Sequence, residues 1–102
     1  MVGLIQAKLD ELASLCRRYR VRRLEVFGSG AGERFDADSS DLDFLVEFAP
    51  LTPCRHADAY FALLEGLQKL FARTVDLVET RAVRNPYFLQ SIKRTRSVVY
   101  AA

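Results

Sequence analysis

The sequence predicts an α/β (α+β) fold, a sheet of three or four short strands covered by helices. Three observations carry this. Two long segments place apolar residues at spacings of three and four, as a helix with one buried face requires. Short runs rich in β-branched and aromatic residues alternate with them, bounded by glycine, proline or polar turns. Half of the 102 residues are hydrophobic and 27% are charged, which suffices for one core and one domain over residues 1–102.

Residues 3–19 read as the first helix. Ile5, Leu9, Leu12, Cys16 and Tyr19 form one face, and Lys8, Asp10, Glu11, Arg17 and Arg18 the other. Val21 to Phe27 is a strand with Leu24 and Val26 on one face, ending at Gly28. A polar segment follows with glycines at 28, 30 and 32, in which Gly30–Glu33 is compatible with a short helical turn capped by Ser29. Asp41 to Phe48 is the second strand, broken by Pro50 and Pro53. Ala57, Tyr60, Phe61, Leu64, Leu67 and Phe71 stripe a second helix over about 55–71, in which Gly66 is a mild flaw. Thr74–Glu79 is a third strand. Asn85-Pro86 signals the start of a helix over about 86–95. Ser97 to Tyr100 is a short edge strand. The spacing leaves parallel and antiparallel pairing open.

No run approaches the roughly 20 apolar residues that a membrane crossing needs, and no signal-peptide pattern opens the chain. The expectation is a cytoplasmic protein without membrane contact. Cys16 and Cys54 match no zinc spacing and His56 is the single histidine, so both cysteines are expected reduced. A net charge of +2 is too small to argue for nucleic-acid binding. Arg17, Arg18, Arg20, Arg22 and Arg23 crowd the end of the first helix, where cations are favourable and usually solvated.

The chemistry concentrates between Val26 and Val46. An apolar strand ends in Gly28-Ser29, eleven residues intervene, and a second apolar strand begins with Asp41-Leu42-Asp43. Residues i and i+2 of a strand share a face, so Asp41 and Asp43 aim at one spot. Two carboxylates so placed repel unless a cation lies between them. The backbone N–H groups around Gly28 and Ser29 offer an anion cradle. Asp76, in Val75-Asp76-Leu77-Val78, is open to two readings: an exposed aspartate on an edge strand, or a third carboxylate beside the first two.

Phe27-Gly28-Ser29 with Ser40-Asp41-Leu42-Asp43-Phe44-Leu45-Val46 resembles the signature of the DNA polymerase β superfamily of nucleotidyltransferases. Within it the chain is most similar to the MNT-type minimal nucleotidyltransferases, including MntA-like antitoxins of HEPN/MNT toxin–antitoxin pairs. Thr74–Val78 resembles their third-carboxylate strand, and Arg84-Asn85-Pro86-Tyr87 through Tyr100-Ala101-Ala102 their C-terminus. The chain departs from the pattern at Ala31-Gly32-Glu33, where similar sequences carry Ala-Arg-Gly; the absent arginine bears on triphosphate binding.

The resemblance implies a single minimal nucleotidyltransferase domain over 1–102, built on a small mixed sheet. It implies a Mg²⁺-dependent enzyme that transfers AMP from ATP to a hydroxyl. Asp41, Asp43 and Asp76 would be the catalytic carboxylates and ligands of two Mg²⁺ ions, with Gly28 and Ser29 binding the nucleotide. It further implies a HEPN-family toxin as partner in a hetero-oligomer, with a tyrosine of that toxin as acceptor and this chain as antitoxin. The alternative is a nucleotidyltransferase-fold module that neutralises its partner by binding alone.

Overall fold

The computed structural model describes residues 3–27, 41–83, 85–87, 90 and 96–102. The expected single N-terminal helix is two: α1 (Gly3–Gln6) and α2 (Leu9–Arg18). The ladder tightens between them. Lys8 N–H donates to the carbonyl of Ile5, three residues back, and the regular pattern resumes when Leu12 donates to Lys8. Ile5, Leu12 and Cys16 are all fully buried. After Tyr19 the chain reverses through Arg20, whose φ of 61° is left-handed, and enters β1 (Val21–Phe27).

The second strand, β2 (Leu42–Phe48), runs antiparallel to β1. Helix α3 (Pro53–Phe71) then crosses over to β3 (Val75–Glu79), which lies parallel to β2. A parallel neighbour requires such a crossover, and nineteen helical residues supply it. The helix starts two residues before the expected position, because Pro53 occupies its first turn, where the missing N–H costs nothing. A 3-10 turn, Thr80–Ala82, follows β3. Tyr87 N–H donates to Asn85 Oδ1 at 2.9 Å, as an N-cap should. The remainder of the helix expected over 86–95, like the turn expected at 30–33, lies outside the described residues apart from position 90. The last strand, β4 (Ser97–Ala101), pairs antiparallel with the outer side of β1.

The result is a mixed four-stranded sheet in the order β3-β2-β1-β4. Alternation sorts its residues onto two faces. Leu24 and Val26 of β1, Leu42, Phe44 and Val46 of β2, and Val75 and Leu77 of β3 point toward the helices. There they join Ile5, Leu12, Cys16, Leu63, Leu67 and Phe71 in one core. Phe44 stacks on Phe71 with ring centroids 6.0 Å apart. Gly66, a flaw in propensity, has a packing reason: a Cβ there would stand 3.0 Å from a methyl of Leu15 on α2. Cys16 is a buried free thiol, its pKa pushed up to about 12 by burial against the opposing charge of Arg17, and Cys54 is free and exposed. No helix among the described residues is long and apolar enough to cross a membrane.

Candidate active site

The other face of the sheet carries the carboxylates. Asp43 is the second residue of β2, and its neighbours Leu42 and Phe44 are pulled to the helix side by burial. That alternation turns the Asp43 side chain outward. β3 lies beside it in parallel register with Asp43 level with Asp76, and residues level with each other on adjacent strands share a face. The backbone closes this end of the sheet too, since Leu42 N–H donates to Thr74 O at 3.2 Å.

The two carboxyl groups interact directly. The Asp43 pKa is pushed up to about 6, chiefly by burial, then by the hydrogen bond that its protonated form donates to Asp76, by the Asp76 charge, and by the charge of Asp41. Burial and these neighbours therefore make the Asp43 carboxyl hold its proton above the ordinary carboxylate range. Asp41 precedes the strand and is exposed; it reaches Asp43 through its charge. Among the described residues no group of three or more aspartate, glutamate, histidine or cysteine side chains is placed to hold a metal ion, Asp41, Asp43 and Asp76 included.

Asp76 is an exposed residue of an edge strand, as the first reading had it, and it lies level with Asp43 on the neighbouring strand. Its strand is held from the helix side by Tyr60, whose hydroxyl donates to the carbonyl of Leu77 at 2.6 Å. Burial, with the charges of Glu79 and Asp76 behind it, raises the Tyr60 pKa and keeps that hydroxyl a donor. On the carboxylate face, Phe27 stands level with Asp43 on the β1 side. Below them Phe27, Leu45, Val78 and Val83 form a small apolar floor. Gly28 and Ser29, the expected nucleotide-binding residues, lie outside the described residues, as does the Gly32-Glu33 departure.

Two charged groups escaped the sequence reading. Glu25, in the middle of β1, is only 5% exposed and lies between Arg23 and Arg96. The signal was present: with Leu24 and Val26 assigned to the helix side, Glu25 has to share the opposite face with Phe27. At the far end of β2 and β3, His56 pairs with Glu79, and an Arg81 nitrogen lies 3.3 Å from the His56 ring. That cluster needed the β2–β3 crossover to be known. The Arg17–Arg23 group behaves as a helix end. Arg17 and Arg18 close α2, and Arg22 makes an exposed ion pair with Glu47 at 3.3 Å.

β2 and β3 thus form a short parallel pair that presents Asp43 and Asp76 level with each other, beside β1. The chain belongs to the nucleotidyltransferase domain family, whose model matches residues 10–99. It is 35% identical over 77 residues to a Methanocaldococcus jannaschii protein assigned as a protein adenylyltransferase, covering 74% of each chain. A solved structure assigned as a minimal nucleotidyltransferase is 34% identical and superposes with a TM-score of 0.63, covering 90% of this chain and 89% of that one. A Shewanella oneidensis structure, a tri-AMPylated HEPN toxin in complex with MNT antitoxin, superposes with a TM-score of 0.65 at 20% identity. It covers 96% of this chain and 73% of that one, and the likeness is one of fold.

Proposed function

We propose that the chain is a Mg²⁺-dependent nucleotidyltransferase that moves AMP from ATP onto a tyrosine hydroxyl of a HEPN-type toxin and thereby acts as its antitoxin. The observation that carries this is the Asp43–Asp76 pair, two carboxylates level on adjacent parallel strands. Its donors are hard carboxylate oxygens, and Mg²⁺ characteristically takes one or two carboxylates and completes its shell with water and substrate phosphates. Bound there, Mg²⁺ would supply charge stabilisation for in-line displacement at the α-phosphorus.

In this reading Asp41, Asp43 and Asp76 would hold Mg²⁺, which would supply the positive charge that a phosphate needs beside three carboxylates. Asp76, exposed at the sheet edge, faces the acceptor and takes the proton of its hydroxyl. The acceptor oxygen forms a bond to the α-phosphorus, the bond from that phosphorus to the bridging oxygen breaks, and pyrophosphate leaves with the electron pair. Gly28 and Ser29 would receive the distal phosphates through backbone N–H groups. The partner assignment draws on the likeness to the Shewanella oneidensis antitoxin, which sits beside an AMPylated HEPN toxin, and on relatives assigned as protein adenylyltransferases.

The test is a mass spectrum of the cognate toxin after incubation with this protein, ATP and Mg²⁺. The expected result is a gain in AMP increments that disappears with Asp41→Asn/Asp43→Asn. An unmodified toxin, or one equally modified by the double variant, overturns the reading. Neutralisation of the toxin that survives the double substitution would support binding alone instead.

A further inference from the structure

We propose that Arg96, anchored over the sheet by buried Glu25, is the cation that receives the terminal phosphates of the nucleotide; this rests on the nucleotidyltransferase reading above. The placement follows from register. Val26 is level with Ser97 on β4, so Arg96, one residue earlier, falls level with Phe27. Phe27 is level with Asp43, and Asp43 with Asp76. One row across the carboxylate face therefore reads Asp76, Asp43, Phe27, Arg96. With strands about 4.8 Å apart, Arg96 stands about 10 Å from Asp43. A triphosphate whose α-phosphate sits at the carboxylates can span that separation. Phe27 lies between them in the row.

The ion pairs agree with the register. Arg96 Nε lies 3.1 Å from Glu25 Oε2, and Glu25 belongs to the same face as Phe27. A purely structural role, neutralising a buried carboxylate, does not account for two guanidinium groups. Arg23 Nε already donates to Glu25 Oε1 at 2.7 Å, which satisfies one carboxylate with one cation. Arg96 adds a second positive charge to a single negative one. Its N–H is not aimed at the carboxylate either, because Oε2 has no hydrogen-bond partner among the described residues. Glu25 thus holds the Arg96 charge in place while leaving the planar set of donors uncommitted to it. The Arg96 side chain is about one-third exposed, in contrast to the 6% of the Glu25 side chain beneath it. Phosphate is the ligand whose oxygens match such a fork in pairs. Glu25 is a positioning residue in this scheme, since it acts through Arg96.

The experiment measures calorimetric affinity of the full chain for AMP-PNP and for AMP, each with Mg²⁺. Both ligands are titrated into the same preparation, so their affinity ratio does not depend on the fraction of protein folded. Arg96→Gln is expected to lower AMP-PNP affinity about tenfold while AMP affinity changes less than twofold. Arg96→Lys, which keeps the charge but loses the fork, should fall between. Glu25→Gln should lower the ratio in the same direction by a smaller factor. An unchanged ratio in Arg96→Gln overturns the proposal, as does an equal loss for both ligands. A wild-type protein that binds neither nucleotide overturns the nucleotidyltransferase reading itself.

Discussion

The two faces of the sheet are made from the same strands by alternate residues, and they follow opposite rules. On the helix side Leu24, Val26, Leu42, Phe44 and Val46 are fully buried, and no charge interrupts them. On the other side the same strands present Glu25, Asp43 and Asp76, with a small apolar cluster of Phe27, Leu45, Val78 and Val83 among the described residues. One face contributes the free energy that holds the strands in register, at about 25 cal/mol for each Å² of apolar surface removed from water. The other spends part of it, keeping carboxyls level with one another where they repel. A site that strains its own scaffold needs a second surface that does not, and here that surface lies one residue away along every strand.

Asp43 and Phe44 are adjacent in β2 and test this division most directly. Phe44→Ala removes a fully buried ring stacked on Phe71 and should cost about 3–5 kcal/mol. Denaturant unfolding should show that much of the domain's stability lost, with activity falling only as the folded fraction falls. Asp43→Asn should act the other way. It relieves repulsion, so the melting temperature of the metal-free protein at pH 7 holds or rises, while AMP transfer drops on the order of a thousandfold, about 4 kcal/mol of barrier. If both substitutions lowered stability alike, the two faces would not be separate in function.

The pH dependence sharpens the comparison by a smaller amount. Asp43 has its pKa raised from 3.8 to about 6 in the folded chain. A carboxyl raised on folding stabilises the native state while it is protonated. That contribution is complete below about pH 4 and is lost as pH rises through about 6. For a half-buried group screened by solvent it amounts to about 1–2 kcal/mol. Melting curves of metal-free wild type and Asp43→Asn should therefore converge near pH 4 and separate above pH 6, with the wild type the less stable. Mg²⁺ should close the gap at neutral pH, because it binds the ionised carboxylates and offsets their repulsion. A gap that is constant across the range would show that Asp43 titrates normally.

What the sequence made legible follows the same line between local and tertiary causes. Val21–Phe27 and the span from Asp41 to Phe48 are bounded by local chemistry, and the strands fall where the alternation and the proline breaks put them. The side-by-side placement of Asp43 and Asp76 was one of two open readings, because it depends on β3 lying parallel to β2 in one register, and no local pattern encodes that. The division of the N-terminal helix at Ala7–Lys8 was hidden for the opposite reason. Both residues are strong helix formers, and only the placement of Ile5 and Leu12 in a shared core shows that the ladder is interrupted. Glu25 was legible by parity but was passed over, since a charged residue in a strand usually faces water. It became conspicuous only when β4 covered the outer side of β1.

The smallest expected effect tests the crossover that sets the Asp43–Asp76 register. Helix α3 ends at Ala72, whose φ of 54° and ψ of 44° are left-handed, and its N–H donates to Gln68 O. This cap turns the chain into β3. An alanine Cβ in that conformation crowds the following carbonyl, at a cost of about 1–2 kcal/mol that glycine avoids. Glycine returns part of the gain through a freer unfolded chain. Ala72→Gly should thus stabilise the domain by about 0.5–1 kcal/mol, seen as a higher denaturation midpoint with an unchanged slope. The carboxylate face should not register the change, since the cap geometry, and with it the level placement of Asp76 beside Asp43, is already the one glycine prefers. A stabilised variant with altered AMP transfer would mean that strain at the cap is transmitted to the site, and that the two faces are coupled through α3.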